Sequence, residues 1–305
     1  SSPAVSNIPY NEKVEYKVYG EDDSTYTEEV PVNAGKYTVR ISVAETDKTT
    51  SAAEIADFTV DKKKVSVTAT APDKVYDGTV NIDTSAIEFT VSGLINDETV
   101  GFAVKEAWYN GPSVGENKQV PVVFNVTGDA AENYEFPTGG EYMAPDYFIE
   151  ATAAITAKDI SDAFIILGDA LTYNGAEQTQ AVEKVVTPDD LEATYDVSGN
   201  TAKNVGIYML TVKGNGNFTG EAMISYEIAP DTSGIESLTE DNVTSADKDD
   251  IEAVKSQIEN AVTDLADDET KEKYKEIADK CDDLLDKLEK VAEATDTENT
   301  EKVKD

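Results

Sequence analysis

Lys74-Val75-Tyr76-Asp77-Gly78-Thr79, then Val91-Ser92-Gly93-Leu94, then Gly128-Asp129-Ala130-Ala131-Glu132-Asn133-Tyr134-Glu135-Phe136 mark out the stretch from Asp73 to Phe136. Short alternating runs, Glu88 to Val91 and Val120 to Val126, lie between the turn formers Asp77-Gly78, Asn110-Gly111-Pro112 and Gly128-Asp129. Alternation of period two between such turns reads as β-structure, and no helical period survives in the stretch.

Working outward, three segments share one pattern. Asn33-Ala34-Gly35-Lys36-Tyr37-Thr38-Val39 matches Asn204-Val205-Gly206-Ile207-Tyr208-Met209-Leu210, with Ser113-Val114-Gly115 as a weaker version between them. Internal repetition of this kind signals tandem modules. Each segment is expected to launch a strand from a glycine turn and to be followed by a second strand. The strands expected to follow, after a polar turn, are Phe58-Thr59-Val60, Tyr134 to Phe136, and Ile224-Ser225-Tyr226.

At the Tyr76-Asp77-Gly78 turn, the Ser92-Gly93-Leu94 segment, Gly115-x-x-Lys118-x-Val120 and the Gly128-Asp129-Ala130…Asn133-Tyr134 ending, the chain resembles the YDG-type repeats of bacterial surface proteins. Gly214-Asn215-Gly216-Asn217-Phe218-Thr219-Gly220 resembles the Gly-x-Gly-Asn-Tyr-x-Gly turn of bacterial MBG-type repeats, with Phe218 in place of the tyrosine. These resemblances imply extracellular, immunoglobulin-like modules in an array. Modules of this type serve as spacers, adhesive elements and enzyme accessories.

The expected fold is therefore mainly β: tandem immunoglobulin-like β-sandwich modules followed by a C-terminal α-helical hairpin. The expected segments are a short or partial MBG-like module at 1–62, a YDG-like module at 63–153, an MBG-like module at 154–230, and a linker with the hairpin at 231–305. Tyr10-Asn11 is a candidate remnant of the turn that Tyr173-Asn174-Gly175 forms later. After Pro230 the period changes. Ile251, Val254, Ile258, Val262 and Leu265 make one helical stripe, and Tyr274, Ile277, Cys281, Leu284, Leu288 and Val291 make a second. Leu238 and Val243, or the end of the third module, are expected to cover the open side, and the acidic chain beyond Val291 is expected to fray.

Composition narrows the chemistry. A net charge of −37 over 305 residues repels phosphates, which argues against nucleic acid and anionic membrane surfaces as partners. Arg40 is the sole arginine, so bidentate anion recognition has almost no donor. With no histidine and one cysteine, Cys281, neither a Ser-His-Asp nor a Cys-His arrangement can be built, nor an intramolecular disulfide. Cys281 lies on a helical stripe beside Asp279, Asp282 and Asp283, an environment that suits a buried core thiol better than a thiolate. No run approaches the ~18 apolar residues of a membrane-spanning helix, and Ser1-Ser2-Pro3-Ala4 has neither a basic segment nor an apolar core. Direct membrane insertion is not expected.

Two local features invite a site. Trp108-Tyr109 before Asn110-Gly111 is the only tryptophan position and could stack on a sugar ring, although core packing competes with that role. Glu21-Asp22-Asp23…Glu28-Glu29 offers oxygen ligands for calcium but lacks the spacing and glycine of an EF-hand loop, so a solvated hairpin tip is the simpler expectation. The glycine-rich Gly214 to Gly220 run has neither the spacing nor the following helix of a nucleotide loop. The leading expectation is a non-catalytic, monomeric extracellular stalk or spacer, without metal or cofactor. Second comes a module recognising an unidentified glycan or protein at the cell surface through loops at a sandwich end or through Trp108 and Tyr109. A carboxylate-pair glycosidase is the third reading. It lacks a cleft that would raise one carboxyl pKa.

Overall fold

The computed structural model describes residues 12–46, 50–137 and 146–302. Tyr10-Asn11 lies outside them. The chain is mainly β, with curled sheets and a C-terminal helix. It parts into two compact units: one runs through Lys74 and resumes from Thr79 to Ile155, and the other combines Val75–Gly78 with the chain from Thr156 onward.

The first unit opens with an antiparallel meander of β1 (Glu12–Val18), β2 (Gly35–Val43) and β3 (Ala52–Val60), with β2 in the middle. Strict alternation gives its two faces opposite characters. Tyr16 and Val39, paired in register, are buried on one face, whereas Glu15 pairs with Arg40 on the other. A two-stranded ribbon follows, β4 (Ser66–Thr70) against β5 (Glu88–Ser92). Next come β6 (Gly101–Ala107), β7 (Gly115–Thr127) and β8 (Tyr147–Thr156), antiparallel with β7 between the other two. Phe89, Phe102, Phe124, Phe136 and Tyr147 fill the space between ribbon and sheet, with ring centroids 4.7 to 6.3 Å apart in edge-on and stacked pairs. Five such rings supply apolar area and directional contacts that aliphatic side chains would not.

The second unit repeats the plan. Its ribbon is β9 (Phe164–Leu167) against β10 (Val182–Val186), and its sheet contains β11 (Tyr195–Ser198), β12 (Gly206–Gly214) and β13 (Glu221–Ala229), with β12 in the middle. Ile160, Val185, Leu210, Val212 and Ile228 form its core. The correspondence extends to single residues. Lys63–Lys64 runs parallel to Tyr134–Glu135 as Lys158–Asp159 runs parallel to Phe218–Thr219. The strand-launching glycines hold one register: Gly35 pairs with Val60, Gly115 with Ile155 and Gly206 with Ile228. Among the described residues, the meander of β1 to β3 corresponds to the three-stranded half of this plan alone.

The strand expected at Tyr134 to Phe136 forms at Tyr134–Glu135, after a short 3-10 helix, Asp129–Asn133, and pairs with Lys63–Lys64, while the partner of β7 is β8. The sheet strand β8 runs on to Thr156. Alanines at 151, 153 and 154 weaken the local strand signal, and pairing with β7 overrides it.

The hairpin comprises α1 (Lys248–Glu259) and α2 (Asp268–Lys302). A capping box at Thr244 and Asp247 starts the first helical segment, and Asp267 accepts from the Thr270 amide at 2.8 Å to start α2. Ile251, Val254, Cys281 and Leu284 are buried between the helices. Ile235 closes the core together with the expected Leu238 and Val243. One expectation fails here. α1 stops at Glu259, where Asn260 turns its side chain back onto the Ser256 carbonyl at 2.8 Å, so Val262 and Leu265 leave the stripe and Leu265 is exposed. α2 continues past Val291. Ala292 and Ala294 favour helix, no glycine or proline interrupts it, and Thr295 Oγ1 donates to the Val291 carbonyl at 2.8 Å.

Candidate functional site

Trp108 and Tyr109 follow β6 and enter the turn at Asn110-Gly111. Gly111 takes a positive φ of 91°, which a side chain would resist. Tyr109 faces inward with 1% of its surface exposed, and its hydroxyl donates to the Pro72 carbonyl. The Lys74 ammonium stands 5.0 Å from its ring centroid. Trp108 is half-buried. The structure therefore does not offer the two rings as one exposed platform: Tyr109 ties the turn to the body of the domain, and Trp108 alone retains an accessible part.

Three carboxylates of the acidic run from Glu21 to Glu29 are engaged locally. Asp22 accepts from the Ser24 amide at 2.9 Å and caps the 3-10 turn Asp23–Thr25. Asp23 meets Lys17 at 2.6 Å and Glu28 meets Lys13 at 3.3 Å. Among the described residues no three His, Cys, Asp or Glu side chains stand together in a way that could hold a metal ion.

The most buried charges lie on the polar face of the β1–β2–β3 meander, and the sequence did not reveal them. Glu15 is 7% exposed, accepts from Arg40 at 2.8 Å and meets Lys13 at 2.7 Å. Those two partners, Lys13 first, hold its carboxyl below the usual range. Tyr26 lies over the cluster, with its ring centroid 3.9 Å from the Arg40 guanidinium carbon and 5.0 Å from the Lys17 ammonium. A carboxylate saturated by two cations is a poor proton acceptor, so this arrangement holds the sheet face together and does not ready a base. Cross-strand register was the signal that would have found it, since Glu15 and Arg40 face each other directly.

In the second unit the Asn-x-Gly segment becomes a docking point. The Val262 amide donates to the Val205 carbonyl at 2.8 Å, and the Ile207 amide to the Val262 carbonyl at 3.0 Å. Gly206 has φ 148°, and a Cβ there would stand 2.4 Å from the Val262 oxygen. One residue of the interhelical connection is thus joined to the sheet by backbone alone. Further along, Tyr274 of α2 is 3% exposed and donates to Glu227 at 3.0 Å. Burial, reinforced by Glu227, pushes its hydroxyl pKa well above the usual value. The equivalent Asn33-Ala34 segment of the first unit is also engaged, with the Ala34 amide donating to Asn133 Oδ1 at 2.8 Å.

Cys281 is fully buried, and desolvation raises its thiol pKa, with Asp282 adding to the effect. Among the described residues no helix is long and apolar enough to cross a membrane. No curated protein matches the chain. One family does match part of it: residues 61–141, which contain the Tyr76-Asp77-Gly78 turn, the four phenylalanines of the aromatic core and the Asn133-Tyr134 ending, form a YDG domain.

Proposed function

We propose that this chain is a non-catalytic extracellular stalk or spacer of a bacterial surface protein, built from tandem immunoglobulin-like modules of YDG and MBG type. The observation that carries this reading is the recurrence of one strand plan, in one register, from Lys63 to Thr156 and again from Lys158 to Ala229, with Ala157 alone between them. Serial repetition with almost no linker suits a part whose task is to hold something at a distance. The charged groups support it, because the carboxylates of Glu15, Asp22, Asp23 and Asp189 are engaged by neighbouring donors. The protein is read as a monomer without cofactor.

Replacement tests the proposal. Within the parent surface protein, residues 61–229 are exchanged for an equal number of unrelated folded β-modules. A spacer tolerates the exchange and the parent's activity persists. Loss of activity despite normal surface levels would favour recognition of a glycan or a host protein by these modules, with the accessible part of Trp108 as the first place to look.

A further inference from the structure

The two ribbons occupy equivalent places in one plan, yet their outward faces differ in kind. In the YDG domain, Ser66, Thr68 and Thr70 of β4 stand opposite Ser92, Thr90 and Glu88 of β5, and all six are exposed. In the second unit, Phe164 and Ile166 of β9 stand opposite Val186 and Lys184 of β10. Phe164 is 67% exposed and Ile166 45%. Ile165 and Leu167, the alternate residues, already serve the core, so the outward pair is not needed to fill it. Among the described residues β9 pairs with β10 alone, whereas the far edge of β10 is bridged by Glu192 and receives the Ala193 amide. An open edge carrying apolar side chains is a template for a further strand.

Charge decides what kind of strand. Asp162 and Asp169 are exposed at the two ends of β9, and the chain carries a net charge of −37. A second copy, paired antiparallel through its own β9 with Phe164 opposite Ile166, would crowd the Asp162 and Asp169 carboxylates of both chains at the ends of the short strand. Like charges brought together in this way are destabilising. An extended segment with apolar residues at alternate positions and a basic residue at each end meets both carboxylates instead. β9 itself runs from Phe164 to Leu167 and the two aspartates stand two positions beyond its ends, so a segment whose basic residues are about seven positions apart sets one near each carboxylate. We infer that the free edge of β9 is a docking site for an extended partner segment of this composition, added to the ribbon as a third strand.

The probe is an acetylated and amidated peptide, Lys-Val-Thr-Val-Thr-Val-Thr-Lys, titrated into the isotope-labelled full chain while its backbone amides are followed by NMR. The expected result is saturable shifts at Phe164 to Leu167 that weaken as salt is added. Binding should fall at least tenfold with the same peptide ended by glutamates, which leaves the protein untouched, and at least tenfold in the double variant Phe164→Thr, Ile166→Thr. Absence of shifts at these amides with millimolar peptide would overturn the inference, as would equal binding of the glutamate-ended peptide. So would self-association of the peptide-free chain that the double variant abolishes, since the edge would then belong to a second copy.

Discussion

Gly206 shows how much one residue can fix. With φ at 148° and the Val262 oxygen 2.4 Å from where a Cβ would lie, Gly206→Ala must shift the interhelical connection off the sheet edge. A destabilisation of at least about 1–3 kcal/mol is expected from backbone strain, read as a lower urea midpoint for the transition that includes the helices. The Tyr274 hydroxyl is the side-chain counterpart. Its raised pKa means that its contribution is complete below the unfolded tyrosine value of about 10 and is lost as pH climbs beyond it. Tyr274→Phe should cost about 1 kcal/mol at neutral pH and flatten the decline in stability above about pH 10. Asp189 works in the opposite direction. Lys158 first, then Thr187, lowers its pKa to about 2. Its contribution is therefore present above the unfolded carboxylate value and lost as pH falls from about 4 towards that lowered value, and Asp189→Asn should remove this part of the acid sensitivity.

At the level of elements, the sequence showed where the period changes and where glycine turns launch strands, because both are local signals. The Asn-x-Gly segments and the helical stripes through Ile251, Val254, Cys281 and Leu284 became structure. What was not legible depended on pairing between distant residues. Val262 reads as a helical stripe position, yet Asn260 ends the helix and frees Val262 for Gly206. Phe164 to Leu167 reads as a continuous apolar strand and forms one, but its place on a ribbon edge, which turns alternate residues outward, depends on distant pairing. Tyr109 reads as core more readily than as platform, and its hydrogen bond to the Pro72 carbonyl beyond the turn shows how it is held inside. The helical core itself is testable. Leu284→Ala should cost about 2–5 kcal/mol in chemical denaturation. Cys281, fully buried with its thiol pKa raised, should react with thiol reagents orders of magnitude more slowly in the native chain than in the unfolded one.

For the whole molecule, the repeated plan suits a serial support. The engaged carboxylates and inward-facing Tyr109 also suit a chain whose value lies in how many modules it places in series. Surface display measures that directly. An epitope tag is placed beyond the chain on a bacterial surface and probed with bead-bound antibody, for the full chain, for a chain lacking residues 158–305, and for one with the 61–157 segment duplicated. Tag accessibility should rise step by step with the number of modules at equal surface density. Accessibility that is the same in all three, with function depending instead on one particular module, would contradict the spacer reading.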